Sequence, residues 1–130
     1  MKALYFSTFG GPEVLKYGEV PDPRPGPGEV LVRTRAIGLN FADVYRRRGT
    51  YHLAGSPPFI AGYEAAGVVE AVEDEGPVKV GDRVAFADSP FANAELVAVP
   101  FERIIPLPDE IDEEVAAAAL LQGLTAQYLV

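Results

Sequence analysis

Gly62-Tyr63-Glu64-Ala65-Ala66-Gly67-Val68-Val69 is the stretch on which the fold turns. From Glu64 to Val72 the residues form a β-rich apolar run, closed by the acidic turn Glu73-Asp74-Glu75-Gly76-Pro77. Upstream, Glu29–Ile37 alternates, with Val30, Val32 and Thr34 on one face and Leu31, Arg33 and Arg35 on the other, as a half-buried strand does. Downstream, Val80-Gly81-Asp82-Arg83-Val84 places a Gly-Asp turn before a strand at Val84–Ala87, and Ala94–Val99 is a further strand. Lys2–Phe6 and Leu15–Val20 are short strand-like runs parted by Gly10-Gly11-Pro12. Many short strands with turn chemistry between them indicate an antiparallel β-barrel or sandwich.

Helical signals are few. Asn40, or Asn40-Phe41, caps a short helix over Ala42–Arg48, which Gly49 closes in the C′ position. Pro21-Asp22-Pro23-Arg24-Pro25-Gly26-Pro27-Gly28 sustains neither helix nor central strand and reads as an extended loop. Near the end, Asp112 is an N-cap, with Glu113 and Glu114 in the first turn, where the helix dipole favours them. Val115–Leu121 then reads as a buried helix, Gly123 interrupts it, and Leu124–Val130 begins a second apolar helical pattern. That pattern stops without Gly, Pro or a basic last turn, so the sequence reads as truncated.

Composition narrows the classes of function. A chain of 130 residues supports one domain, and a net charge of −8 argues against nucleic-acid or anionic-membrane partners. The local basic cluster Arg46-Arg47-Arg48 reads equally as a solvated helix end or an anion contact. With no cysteine, disulfides, thiolate catalysis and Cys-based metal sites are excluded, and a cytoplasmic location is expected. Ala3-Leu4-Tyr5-Phe6 is too short for a signal-peptide core, and Val115–Leu121 is too short to span a membrane. Ser7, Ser56 and Ser89 have no histidine and carboxylate arranged around them as a triad would need. No Gly-x-Gly-x-x-Gly or related phosphate loop occurs.

Several segments match a known family in order. They are Ala36-Ile37-Gly38-Leu39-Asn40-Phe41-Ala42-Asp43, Arg48-Gly49-Thr50-Tyr51, and Pro57-Pro58-Phe59-Ile60-Ala61-Gly62-Tyr63-Glu64. Gly81-Asp82-Arg83-Val84, Ala116-Ala117-Ala118 and Gly123-Leu124-Thr125-Ala126 follow. The stretch from Gly62 resembles the Gly-His-Glu-x-x-Gly-x-Val signature of zinc alcohol dehydrogenases, with Tyr63 where those enzymes carry a zinc-binding His and Asn40 where they carry a Cys ligand. Neither a phenol nor a carboxamide competes with imidazole and thiolate for zinc. The chain therefore resembles the zinc-free quinone oxidoreductase (zeta-crystallin-like) branch of the medium-chain dehydrogenase/reductase superfamily.

The resemblance implies a mainly β fold with short helices, a GroES-like β-barrel catalytic domain over residues 1–110. A helical segment over 111–130 would lead toward a Rossmann domain absent from this sequence. It implies NADPH as cofactor, no zinc, and a quinone or enone as small-molecule substrate; full-length homologues would be homodimers. By the same resemblance Tyr51 is the nicotinamide-side contact, with a ring to pack and a hydroxyl to donate. Asn40 would orient a carboxamide or a quinone oxygen, besides capping its helix. Thr125 marks where the inter-domain helix reaches the cofactor; by its residue type alone it bonds back to a carbonyl. Asp43 is expected to be a structural carboxylate, Glu64 to fix a turn, Tyr63 to fill the vacated metal volume, and His52 to be solvated or a proton donor. No residue is singled out as catalytic. The activity expected is NADPH-dependent quinone reduction by a longer chain of which this is the N-terminal catalytic part, inactive alone. The alternatives are an enoyl reductase of the same superfamily and a stand-alone GroES-like interaction module.

Overall fold

Short runs of branched and small apolar residues, each cut off by Gly, Pro or an acidic turn, give eight strands and two α-helices. The computed structural model describes residues 1–130 throughout. The strands are β1 (Lys2–Phe6), β2 (Lys16–Glu19), β3 (Glu29–Ile37), β4 (Phe59–Ile60), β5 (Glu64–Val72), β6 (Arg83–Ala87), β7 (Leu96–Pro100) and β8 (Ile105–Pro106). The helices are α1 (Phe41–Arg48) and α2 (Glu113–Leu129). All pairings are antiparallel: one sheet has the order β2-β1-β4 and the other β7-β3-β5-β6-β8. An isolated bridge between Ala3 and Ala94 joins β1 to the loop before β7.

The core is built from one face of the larger sheet. Val30 and Val32 of β3, Ala65 and Val69 of β5, Val84 and Phe86 of β6, and Val97 and Val99 of β7 pack together and are fully buried. Each valine so placed contributes about 1.5–3 kcal/mol relative to an exposed one. β3 departs from simple alternation, because Leu31 is buried along with Val30 and Val32. This strand lies between β5 and β7, and only from Arg33 onward does it alternate with solvent. Arg33 is held there by a bidentate pair, its Nε and Nη2 donating to the two carboxylate oxygens of Glu70 of β5.

The other face of β5 and β6 receives α2. Ala66 and Ala85 on the sheet meet Ala116 and Ala117 on the helix, with Ala36, Leu107 and Leu120 around them. Alanine on both sides lets the helix axis come close to the sheet. Two expectations change here. α2 is one 17-residue helix that passes through Gly123 without a break, because a lone glycine costs a helix only about 1 kcal/mol. Nor is Val115–Leu121 buried as a whole: Ala116 and Ala117 are, whereas Val115 is exposed. A segment apolar all round gives no stripe by which sequence can tell the packed face from the free one.

Candidate functional site

α1 begins where β3 ends, and the turn between them sets the site. Gly38 lies at the crossing point, where a Cβ would collide with the Glu64 carboxylate and the Ala117 carbonyl. Only a residue without a side chain lets β3, β5 and α2 converge there. Asn40 follows as the N-cap of α1, in extended conformation, and Gly49 closes the helix at φ 76°. Asp43 accepts the Asn40 backbone N–H at 3.0 Å, completing half of a capping box.

The Asn40 side chain also bonds beyond its own helix. Its Nδ2 donates to Glu64 Oε2 at 2.8 Å, and its Oδ1 accepts from Gln122 Nε2 at 3.1 Å. Glu64 is 0% exposed, and its second oxygen accepts the backbone N–H of Leu121 at 2.7 Å. Glu64 therefore starts a strand rather than fixing a turn, and it ties the front of α1 to the middle of α2. The other end of the helix-to-sheet contact is tied by Arg83, which donates to Glu113 Oε1 and Oε2 at 3.2 and 3.1 Å. That hydrogen-bonded guanidinium, with the backbone N–H of Glu113 itself, holds the Glu113 carboxyl below the usual carboxylate range.

The three cofactor-side candidates, Asn40, Tyr51 and Thr125, line a single cleft of about 550 Å³ between α1 and the second half of α2. Arg46, Asp88, Gln122 and Leu129 line it too. Tyr51 is half exposed. Thr125 donates its hydroxyl to the Leu121 carbonyl at 2.7 Å, as its residue type predicts, and keeps its oxygen free to accept.

Of the basic cluster only Arg48, at the end of α1, is exposed. Arg46 and Arg47 are buried, and Arg47 donates to the Gly10 carbonyl at 2.8 Å. Arg46 carries its guanidinium carbon 3.3 Å from the centre of the Tyr63 ring and 5.2 Å from that of Tyr51. It donates to Asp43 Oδ1 at 3.2 Å and to the His52 carbonyl at 3.2 Å, and its Nη2 lies 3.1 Å from His52 Nε2. Arginine has only donors, so His52 Nε2 accepts and the ring carries its proton on Nδ1. His52 thus faces Arg46 instead of offering a proton from Nε2. Tyr63 is buried, and its hydroxyl accepts the Ala54 N–H at 3.0 Å. Gly62, at φ 90°, makes the turn before it, where a Cβ would strike Asn93.

Sequence reading missed Gln122 as a site residue, and it reached Arg46 only as one of a basic cluster equally readable as a solvated helix end or an anion contact. The signals were weak: Arg46 stands at i+3 from Asp43, and Gln122 at i−3 from Thr125, both helical neighbours.

A β-sheet domain of this topology, with a helix laid on β5 and β6 and a cleft at the front of α1, defines a class before it defines a family. Residues 26–109 match the alcohol dehydrogenase GroES-like domain. A quinone oxidoreductase of Pseudomonas aeruginosa is 52% identical over 99% of this chain, which covers 40% of that protein. A 2-haloacrylate reductase of a Burkholderia species is 42% identical over 93% of the chain and 38% of its own length. The crystal structure of the Escherichia coli quinone oxidoreductase complexed with NADPH superimposes with a TM-score of 0.94 at 39% identity, covering 99% of this chain and 40% of that one. The chain belongs to the quinone oxidoreductase (zeta-crystallin-like) family of the medium-chain dehydrogenase/reductase superfamily, in its N-terminal GroES-like domain. It spans about two-fifths of the length of the relatives it matches.

Proposed function

We propose that residues 1–130 form the catalytic-domain part of an NADPH-dependent quinone reductase, and that they do not turn over quinone on their own. The observation that carries this reading is the convergence of Asn40, Tyr51 and Thr125 on one cleft. The residues present suit the nicotinamide end of the cofactor. Thr125 offers an acceptor, Asn40 a remaining amide hydrogen and Gln122 a carbonyl oxygen, the complements of a carboxamide's donor and acceptor. Tyr51 adds an exposed ring and a hydroxyl. Nothing in the sequence cradles the phosphates, which the longer relatives' remaining three-fifths would have to supply. The bound cofactor would supply hydride. This chain's part is to orient the ring, exclude water and present the acceptor.

The donor set does not suit a zinc ion. The Asn40 oxygen already accepts from Gln122, the Tyr63 hydroxyl accepts from Ala54, and no cysteine is available. The reading is accordingly of a metal-independent reduction. A second reading, reduction of an activated carbon–carbon double bond, is favoured by the 42% identity to a 2-haloacrylate reductase.

The test is a chimera joining residues 1–130 to the remainder of the Pseudomonas aeruginosa relative. It should reduce 1,4-naphthoquinone with NADPH, while residues 1–130 alone should not. Tyr51→Ala in the chimera should lower kcat/KM by about 10- to 100-fold, the size of a lost positioning contact. Turnover of an enoyl thioester with no turnover of quinone would replace the first reading by the second; quinone turnover by the isolated chain would overturn the claim that it is inactive.

A further inference from the structure

Among the groups that face the cleft, one is a buried cation whose hydrogen-bonding capacity is not exhausted. Arg46 is 4% exposed, yet it is among the residues lining the cleft with Asn40, Tyr51 and Thr125. Three of its five N–H groups are committed, to Asp43, to the His52 carbonyl and to His52 Nε2. Tyr63 lies under the guanidinium plane, and the Asp43 carboxylate is partly satisfied by the Asn40 N–H. The cation is thus fixed from below and from the side, which is the preorganisation that charge stabilisation requires. The other ionic side chain lining the cleft, Asp88, is paired with Arg103 at 3.2 Å.

We propose that Arg46 is a catalytic residue of the proposed quinone reduction, holding the oxyanion that forms on the substrate. The inference rests on the quinone-reductase reading. A quinone that accepts one hydride becomes the hydroquinone monoanion: the hydride brings two electrons and a proton, and one carbonyl oxygen is left carrying the negative charge. The nicotinamide is left oxidised, and a proton taken from solvent then gives the neutral hydroquinone. The charge appears on an oxygen in a cleft that an arginine borders, with two N–H groups unclaimed by the protein. Interactions of such charges are far stronger where water is excluded. Asn40 and Tyr51 can orient a carbonyl but carry no charge to offset the new one. In this chain the positive charge beside the site is supplied by a side chain held over Tyr63, the very residue that stands where zinc relatives place a ligand.

The experiment uses the isolated 130-residue chain and binding alone. The probes are 2-hydroxy-1,4-naphthoquinone, which is ionised at neutral pH and mimics the monoanion, and the neutral 2-methoxy-1,4-naphthoquinone. Affinities are read by titration of a 15N-labelled sample at pH 7.5, with no cysteine present to trap the quinone covalently. A chain of net charge −8 repels anions as a whole, so a preference for the ionised probe reports a local cation. The expected result is binding of the anion about tenfold tighter than its neutral counterpart, a difference of the order a partly committed charge gives. Arg46→Met should erase that ratio, and Arg46→Lys should keep most of it. A merely structural arginine would weaken both probes alike and leave the ratio unmoved. Equal affinities in the parent chain overturn the proposal without any variant, so a poorly folded Arg46→Met does not protect it. An anion preference that survives in Arg46→Met overturns it too. If the neutral probe binds and the anion gains nothing, Arg46 alone loses its role. Failure of both probes to bind overturns this proposal but not the quinone-reductase reading, which stands or falls on quinone turnover by the chimera.

Discussion

Glu64 shows how a single buried acceptor can organise a site without touching the chemistry. Its two oxygens face two N–H donors, from Asn40 and from Leu121. Glu64→Gln keeps the shape but must turn an NH2 toward one of those donors. The expected loss is about 1–3 kcal/mol, the cost of a buried polar group left unpaired. A urea midpoint that falls, with faster hydrogen exchange at the Leu121 amide, would support this; an unchanged midpoint would refute it. At this scale the sequence went some way. Asn40, Tyr51 and Thr125 could be singled out from residue type and resemblance, and they do share one cleft. For Arg46 the sequence left a solvated helix end and an anion contact equally open, because its position depends on how α1 packs on Tyr63, which lies 17 residues further on. A run of three arginines at a helix end looks the same in sequence whether it is solvated or buried.

The elements make their own predictions, and the clearest is at Gly123. It sits in the interior of α2 with nothing within 4 Å of where a Cβ would be. Gly123→Ala should stabilise the chain by about 0.5–1 kcal/mol, because alanine loses less backbone freedom on folding. A melting temperature that drops would show that the helix is in fact broken there. The start of the same helix carries a pH dependence. Glu113 is held below its ordinary pKa by the hydrogen bond from Arg83, so its folded form binds its proton less readily than the unfolded chain does. The stability it contributes is therefore present above the unfolded value of 4.5 and is lost as pH falls through the lower folded value. Glu113→Gln should be less stable than the parent chain at pH 7, with the gap closing as the pH is lowered through and below 4.5. A gap independent of pH would mean that Arg83 and Glu113 do not interact in solution.

At the scale of the whole molecule, one surface stands apart. Val115, Leu124, Tyr128 and Leu129 of α2 are exposed, and a groove of about 340 Å³ runs between the helix and Ile105–Ile111, lined mainly by apolar residues. Exposed apolar surface of this kind binds hydrophobic dyes and promotes self-association. The isolated chain should enhance anilinonaphthalene sulfonate fluorescence, and Leu124→Glu should reduce that signal by more than half while changing stability by less than about 0.5 kcal/mol, since the side chain is half exposed. Undiminished fluorescence in the variant would place the apolar surface elsewhere. No helix in the chain is long and apolar enough to cross a membrane.

The sequence by itself determined the strand-rich character of the chain, the ends of α1 and the family. These rest on local signals: turn residues, caps, alternation, and motifs whose order along the chain is itself the evidence. β3 was read with the bounds it has, Glu29–Ile37, because its alternating half and its flanking turns are local. What only the tertiary structure decided is which groups meet. Glu64 reaches Leu121 across 57 positions, and Gln122 reaches Asn40 across 82. The Val115–Leu121 stretch of α2, apolar on every side, chose its buried stripe by fitting Ala116 and Ala117 onto Ala66 and Ala85. Burial, pairing and the placing of a charge in a cleft are properties of packing between distant segments, and no local pattern encodes them.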